Sequence, residues 1–103
     1  MSEGRIERGG NGELRLSGEL DHRSGAALRE QGRALIRASS GGVRLDCSGV
    51  ERSNSVGLSL LLSFMRDARA GGQAMQVVGL PQEMRDIAKV SGLDEILPLG
   101  EQA

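Results

Sequence analysis

Between Val43 and Met65 the chain changes its hydrophobic period. V-R-L-D-C alternates apolar and polar residues, whereas V-G-L-S-L-L-L-S-F-M repeats its apolar residues every three or four positions. A period of two belongs to a half-buried strand and a period near 3.6 to a helix with one buried face. The stretch therefore reads as a short strand at Val43–Cys47, a polar loop, and an apolar helix that begins near Ser55. Small residues stand where that helix starts. A first helical turn exposes unpaired backbone N–H groups and the positive end of the macrodipole, so Asn54, Ser55 and Gly57 mark a place where a phosphate, an acidic side chain or another protein's backbone can approach closely.

The same two periods recur along the chain. Glu13–Ser17 alternates as a strand that Gly18 closes, with an earlier edge strand near Arg5–Arg8. Ser24–Ala38 is helical through Ala27, Leu28, Leu35 and Ile36, with Asp21 or Ser24 available as its cap and Gly41-Gly42 as its stop. Gln73–Gly79 is a further strand, Pro81–Val90 a helix with Met84, Ile87, Ala88 and Val90 on its repeat, and Ile96-Leu97 a last short strand. Strands and helices joined by connections of a few residues favour an α/β fold. The expected architecture is one domain over residues 1–103, a mostly parallel sheet of about four or five strands with helices packed on it.

Composition narrows the function. Thirteen basic residues against 14 acidic ones, with no run of Lys or Arg, lack the electrostatic footprint of a nucleic-acid binder. Phe64 is the only aromatic residue, so stacking platforms for bases and sugars are missing. A lone Cys forms no internal disulfide, the first ten residues carry no apolar leader, and Ser59 and Ser63 interrupt the longest apolar stretch. These features lead to the expectation of a cytoplasmic chain that reaches a membrane only through a partner.

On the helix after Ser55, 100° per residue gathers Leu58, Leu61, Leu62 and Met65 on one face, with Leu60 and Phe64 widening the arc. The other side carries Ser55, Ser59, Ser63 and Arg66, with Val56 and Leu60 at its margin. Two readings stand for this row of hydroxyls: a docking face that lets another backbone come close, or a helix face that is merely short in side chain. Asn54 likewise serves as an N-cap or as a contact residue, and Ser55 as a solvent-facing hydroxyl or a phosphate acceptor. Catalysis has little to rest on. His22 and Cys47 form no triad and no metal set, Asp46 and Glu51 read as solvated charges, and no phosphate-binding glycine loop is present.

Leu16–Asp21, Leu45–Val50 with Asn54–Leu58, and Val90–Leu93 together are similar to the STAS domain, the fold of bacterial anti-sigma-factor antagonists and of the small MlaB-like subunit of the Mla phospholipid-transport ATPase. Leu16-Ser17-Gly18-Glu19-Leu20-Asp21 resembles the family's L-x-G-E-L-D segment. Leu45–Val50 followed by Asn54-Ser55-Val56-Gly57-Leu58 resembles its second strand and D-[ST]-[ST]-G-L signature, and Val90-Ser91-Gly92-Leu93 resembles its S-G-L ending. Asp46-Cys47-Ser48-Gly49 imitates the signature but lacks the apolar helix behind it. On the preferred register Ser55 takes the family's phosphorylatable position, while Asn54 replaces the usual Asp and Val56 a second hydroxyl.

The resemblance implies a non-catalytic interaction module without cofactor or metal. Its partner-binding residues would be Asn54, Ser55, Val56, Gly57, Ser59, Leu60 and Ser63, with Ser55 as the phosphorylation site if there is one. The partner it implies is the ATPase subunit of a phospholipid-transporting ABC complex, with the chain held peripherally on the inner membrane by that complex. The alternative is an anti-sigma-factor kinase, bound unless Ser55 carries phosphate.

Overall fold

The computed structural model describes residues 3–95. Strand β1 (Arg5–Arg8) is followed by β2 (Leu14–Leu20), helix α1 (Gly25–Arg37), β3 (Val43–Ser53), α2 (Ser55–Ala70), β4 (Met75–Val78), α3 (Gln82–Val90) and a 3-10 turn at Leu93–Glu95. The strands lie in chain order in one mixed sheet. β1 runs antiparallel to β2, and β2–β3 and β3–β4 are parallel. The strand expected at Ile96-Leu97 lies outside the described residues.

Burial alternates along β2: Leu14, Leu16, Gly18 and Leu20 are buried, and Arg15, Ser17 and Glu19 are exposed or half-buried. Successive parallel strands that advance in one direction place crossovers of one hand on one face of the sheet. The core accordingly lies between that face and the helices, where Leu16, Leu45, Cys47 and Val77 meet Leu28, Ile36, Leu61, Phe64 and Met84. The opposite face carries polar side chains such as Arg15, Arg44 and Gln76, all exposed.

Gly18, expected to close its strand, and Gly49, expected in the polar loop, both lie inside strands. Gly18 adopts φ +82 and sits at a register shift, so β2 bulges there and continues to Leu20 instead of closing. β3 then has a partner beyond Cys47: Gly49 pairs with Ser17, Val50 with Gly18 and Ser53 with Leu20. A Cβ on Gly49 would stand 2.9 Å from the Cβ of Ser17, so this residue is a close strand approach and not a turn. The expected polar loop before α2 therefore shrinks to Asn54 alone.

The helices pack through similarly unobtrusive residues. Gly32, in the middle of α1, is buried under the ring of Phe64, and a Cβ there would come within 2.6 Å of Cζ. At the far end of α1, Arg8 donates to the carbonyl of Leu35 at 3.0 Å and Gln73 Nε2 to that of Ile36 at 2.9 Å, which satisfies carbonyls the helix leaves open. Ser24 is the N-cap residue of α1 without a side-chain cap bond. The carboxylate of Asp21 instead accepts from the N–H groups of Arg23 and Ser24 and shapes the turn into the helix. In α3 the core side is Met84 and Ala88, whereas Val90 is 90% exposed at the last helical residue.

Candidate interaction site at the start of the second helix

A βαβ connection leaves strand C-termini and helix N-termini on the same edge of the layer, where ligands and partners of open α/β sheets are met. Here the ends of β2 and β3 are adjacent, since Leu20 pairs with Ser53. The first turns of α1 and α2 touch, with a Cβ on Gly25 falling 3.2 Å from Val56 Cγ1. The edge thus assembles Asp21–Ser24, Asn54–Val56 and the start of α3.

Asn54 has extended backbone angles (φ −104, ψ −164), and its Oδ1 accepts from the Val56 N–H at 2.8 Å. That is an N-cap, and it fixes the direction in which the next residue points. Ser55, the first helical residue, is exposed, and its hydroxyl makes no hydrogen bond among the described residues. One turn on, the exposed Ser59 donates its hydroxyl to the Ser55 carbonyl at 3.3 Å, which leaves its oxygen lone pairs turned to solvent. Ser63 and Val56 are half-buried, and Val56 borders α1 at Gly25. No acidic residue occupies the first turn of α1 or α2, so neither positive helix end is offset by a carboxylate of its own first turn.

Two residues expected on this surface belong beneath it. Leu60 is 4% exposed and part of the core, because α1 packs along that flank of α2 and covers what the helical wheel places at its margin. An acidic substitution at Leu60 would test folding instead of docking. Gly57 is also buried: a Cβ would collide with Ser53 Oγ and stand 2.8 Å from Met84 Cε. Its lack of a side chain lets the first turn of α2 settle onto β3 and α3. The outward set is therefore Asn54, Ser55 and Ser59, with Val56 and Ser63 at the rim.

The Asp21–Arg23 pair flanks this set; the sequence points to Asp21 as a cap and as the end of the Leu16–Asp21 segment, but nothing in it singles out Arg23. Arg23 Nη2 lies 3.0 Å from Asp21 Oδ2. The guanidinium's hydrogen bond holds the Asp21 carboxyl below its ordinary value, and the same bond raises the Arg23 pKa. The signal was in the sequence, since Asp21 ends the Leu16–Asp21 segment, but only the pairing of Leu20 with Ser53 puts it beside Asn54. His22 is exposed in the same turn.

The remaining candidates for chemistry are elsewhere. Cys47 is fully buried, and desolvation pushes its thiol up to about 12, far from the thiolate a nucleophile needs. Ser48 sits within β3 and donates its N–H to the Asp46 carboxylate at 2.9 Å, so the Asp46–Gly49 imitation of the signature is strand and not a helix start. No group of three metal-ligating side chains occurs among the described residues, and no helix there is long and apolar enough to cross a membrane.

A family model described as Mlab, STAS domain, matches residues 5–99. Among solved structures the chain is similar to an anti-sigma factor antagonist from Mycobacterium paratuberculosis, with 26% identity, a TM-score of 0.75, and coverage of 94% of this chain and 83% of that one. It is also similar to an anti-sigma-factor antagonist (STAS) domain protein from Planctomyces limnophilus, at 16% identity and a TM-score of 0.71, covering 99% and 92%. A third is the Bacillus cell fate determinant SpoIIAA in its phosphorylated form, at 20% identity and a TM-score of 0.68, covering 98% and 91%. The last two likenesses establish the fold alone.

Proposed function

The chain belongs to the STAS-domain family, and on that premise we propose that it is a non-catalytic interaction subunit of the MlaB type. In this reading it binds the ATPase subunit of a phospholipid-transporting ABC complex and stabilises its assembled, active form, which maintains outer-membrane lipid asymmetry. The mechanism is mechanical. Asn54 caps α2 and orients it, Ser55 and Ser59 present hydroxyls over a shallow surface, and the core-packed side of the helix supplies a rigid backing. The chain works in the cytoplasm and is held at the inner membrane by its partner.

One observation carries the proposal: an exposed row of hydroxyls at the capped start of α2, in a chain whose family match is to the Mlab type. Asn54 in place of the signature's Asp supports it further, because the amide keeps the cap while lacking the carboxylate that precedes the phosphate acceptor. The test is co-purification with the transporter ATPase. Ser55→Arg places a long side chain in the way of close approach without touching the core, and by its bulk it is expected to reduce ATPase recovery at least tenfold while the chain stays folded. Full recovery with this variant counts against the interface.

A second reading, an anti-sigma-factor antagonist in a partner switch, is favoured by the accessible Ser55 hydroxyl and by the likeness, at 26% identity, to the solved anti-sigma factor antagonist from Mycobacterium paratuberculosis. It uses the same surface but adds control: a phosphate on Ser55 would lie near the positive end of α2 and block the partner by bulk and charge. Phosphate on Ser55 in the native protein that rises and falls with growth conditions would select this reading over the first.

A further inference from the structure

The exposed side of the α1–α2 layer carries an excess of positive charge that the docking reading does not explain. α1 contains Arg29, Arg33 and Arg37 with one acid, Glu30, and α2 contains Arg66 and Arg69 with one acid, Asp67. That is a surplus of three positive charges on two packed helices in a chain whose net charge is −1. α3, by contrast, balances Glu83 and Asp86 with Arg85 and Lys89.

The arrangement is ordered. Arg29, Arg33 and Arg37 recur every fourth residue and form one row along α1, about 12 Å from first to last at 1.5 Å per residue. Arg66 continues the row of Ser55, Ser59 and Ser63 on α2. The two helices are in contact at Gly25–Val56 and Gly32–Phe64, so the rows lie side by side on one surface. Arg29, Arg37, Arg66 and Arg69 are all exposed, and none forms an ion pair among the described residues. Of the two acids, Glu30 offsets little, since it reaches Arg33 only at 3.5 Å with its side chain 73% exposed; Asp67, one oxygen of which is shielded from water, leaves the surplus of the two helices at three positive charges. At the end of this surface the first turn of α2 adds a helix N-terminus without an acidic residue, whereas the Asp21 carboxylate stands just ahead of α1 and accepts from the Ser24 N–H.

We propose that the α1–α2 face is one electropositive docking surface and that its occupant is a protein presenting an acidic surface, steered in by Arg29, Arg37 and Arg66 before Ser55 and Ser59 are engaged. The inference rests on the docking reading above and specifies the partner's chemistry. A lipid surface fits less well, because interfacial binding needs exposed apolar side chains beside the cations, and the only large exposed hydrophobe among the described residues is Val90 on α3. Rows of unpaired cations at an interface act chiefly on the encounter rate and make it fall with salt.

The test measures association of the full chain with the purified transporter ATPase subunit and with the anti-sigma-factor kinase of the same organism, using phosphatidylglycerol vesicles as a third probe. One of the two proteins is expected to bind, with an on-rate that drops roughly tenfold or more from low to high salt. The combined Arg29→Glu, Arg37→Glu and Arg66→Glu variant is expected to bind about tenfold more slowly at low salt, with a flattened salt dependence and an unchanged unfolding midpoint. Binding that ignores salt and charge reversal, yet is still blocked by Ser55→Arg, overturns the acidic-partner inference and leaves the docking reading standing. Binding to neither protein overturns both. Salt-sensitive binding to the vesicles that the charge reversal abolishes assigns the face to lipid and overturns the inference.

Discussion

Asn54 shows how one side chain can satisfy two requirements at once. Its amide oxygen closes the first turn of α2 on the Val56 N–H at 2.8 Å, and that bond aims Ser55 away from the core. Asn54→Ala is expected to lose about 1 kcal/mol of stability in urea unfolding, the usual cost of a missing cap. Asn54→Asp keeps the oxygen and places a negative charge at the positive helix end, so it should match or exceed the parent at neutral pH. A larger loss for Asp than for Ala would refute the cap as the reason for an amide here. The N-cap and the outward Ser55 were legible in the sequence because each depends on near neighbours. Leu60 was not, since its burial depends on a second helix that lies at its flank.

Among the elements, the α1–α2 contact is decided by Gly32. Alanine in place of an interior helical glycine ordinarily gains roughly 0.5–1 kcal/mol. Here the added methyl meets the Phe64 ring, and overpacking of this kind costs about 1–3 kcal/mol. The packing term is the larger, so Gly32→Ala is expected to destabilise in spite of its helix propensity, and Phe64→Leu in the same chain should recover part of the loss. Urea denaturation of the two single variants and the double variant measures the coupling. The order of elements was readable from the two hydrophobic periods. The lengths of β2 and β3 were not, because Gly18 and Gly49 carry the same local signature as turn residues. They stay in strands only because each lies against the neighbouring strand.

At the scale of the molecule, three carboxylates tie the fold to pH. Glu13 is held below its ordinary 4.5 chiefly by its own backbone N–H, Asp21 below 3.8 by the Arg23 side chain, and Asp46 below 3.8 by the Ser48 N–H. Each is more acidic in the folded chain than in the unfolded one, so the unfolded chain binds protons first as pH drops. Their contribution is complete above the ordinary carboxylate range and is lost as pH falls through the folded values. The unfolding midpoint should therefore change little from neutrality to about pH 5 and decline below about pH 4.5. Asp21→Asn should make that acid limb shallower; a limb of unchanged slope would remove Asp21 from the account. The carboxylates are half-buried, but Arg15 and Arg23 that pair with two of them are exposed, so these pairs shape the pH profile more than the total stability. The arginine rows of α1 and α2 belong to this scale too, since a near-neutral composition hides a charge separation that only the packing of the two helices makes visible.

The sequence alone determined the class of fold, the order of its elements, the capped start of α2 and the kinship with STAS domains, because these follow from periodicity, caps and local motifs. The tertiary structure decided the strand lengths, the placement of Asp21 and Arg23 beside Asn54, the burial of Gly57 and Leu60, and the joining of two arginine-bearing helices into one surface. Each of those depends on which distant segment lies alongside, and side-chain spacing along a single element carries no information about its neighbour.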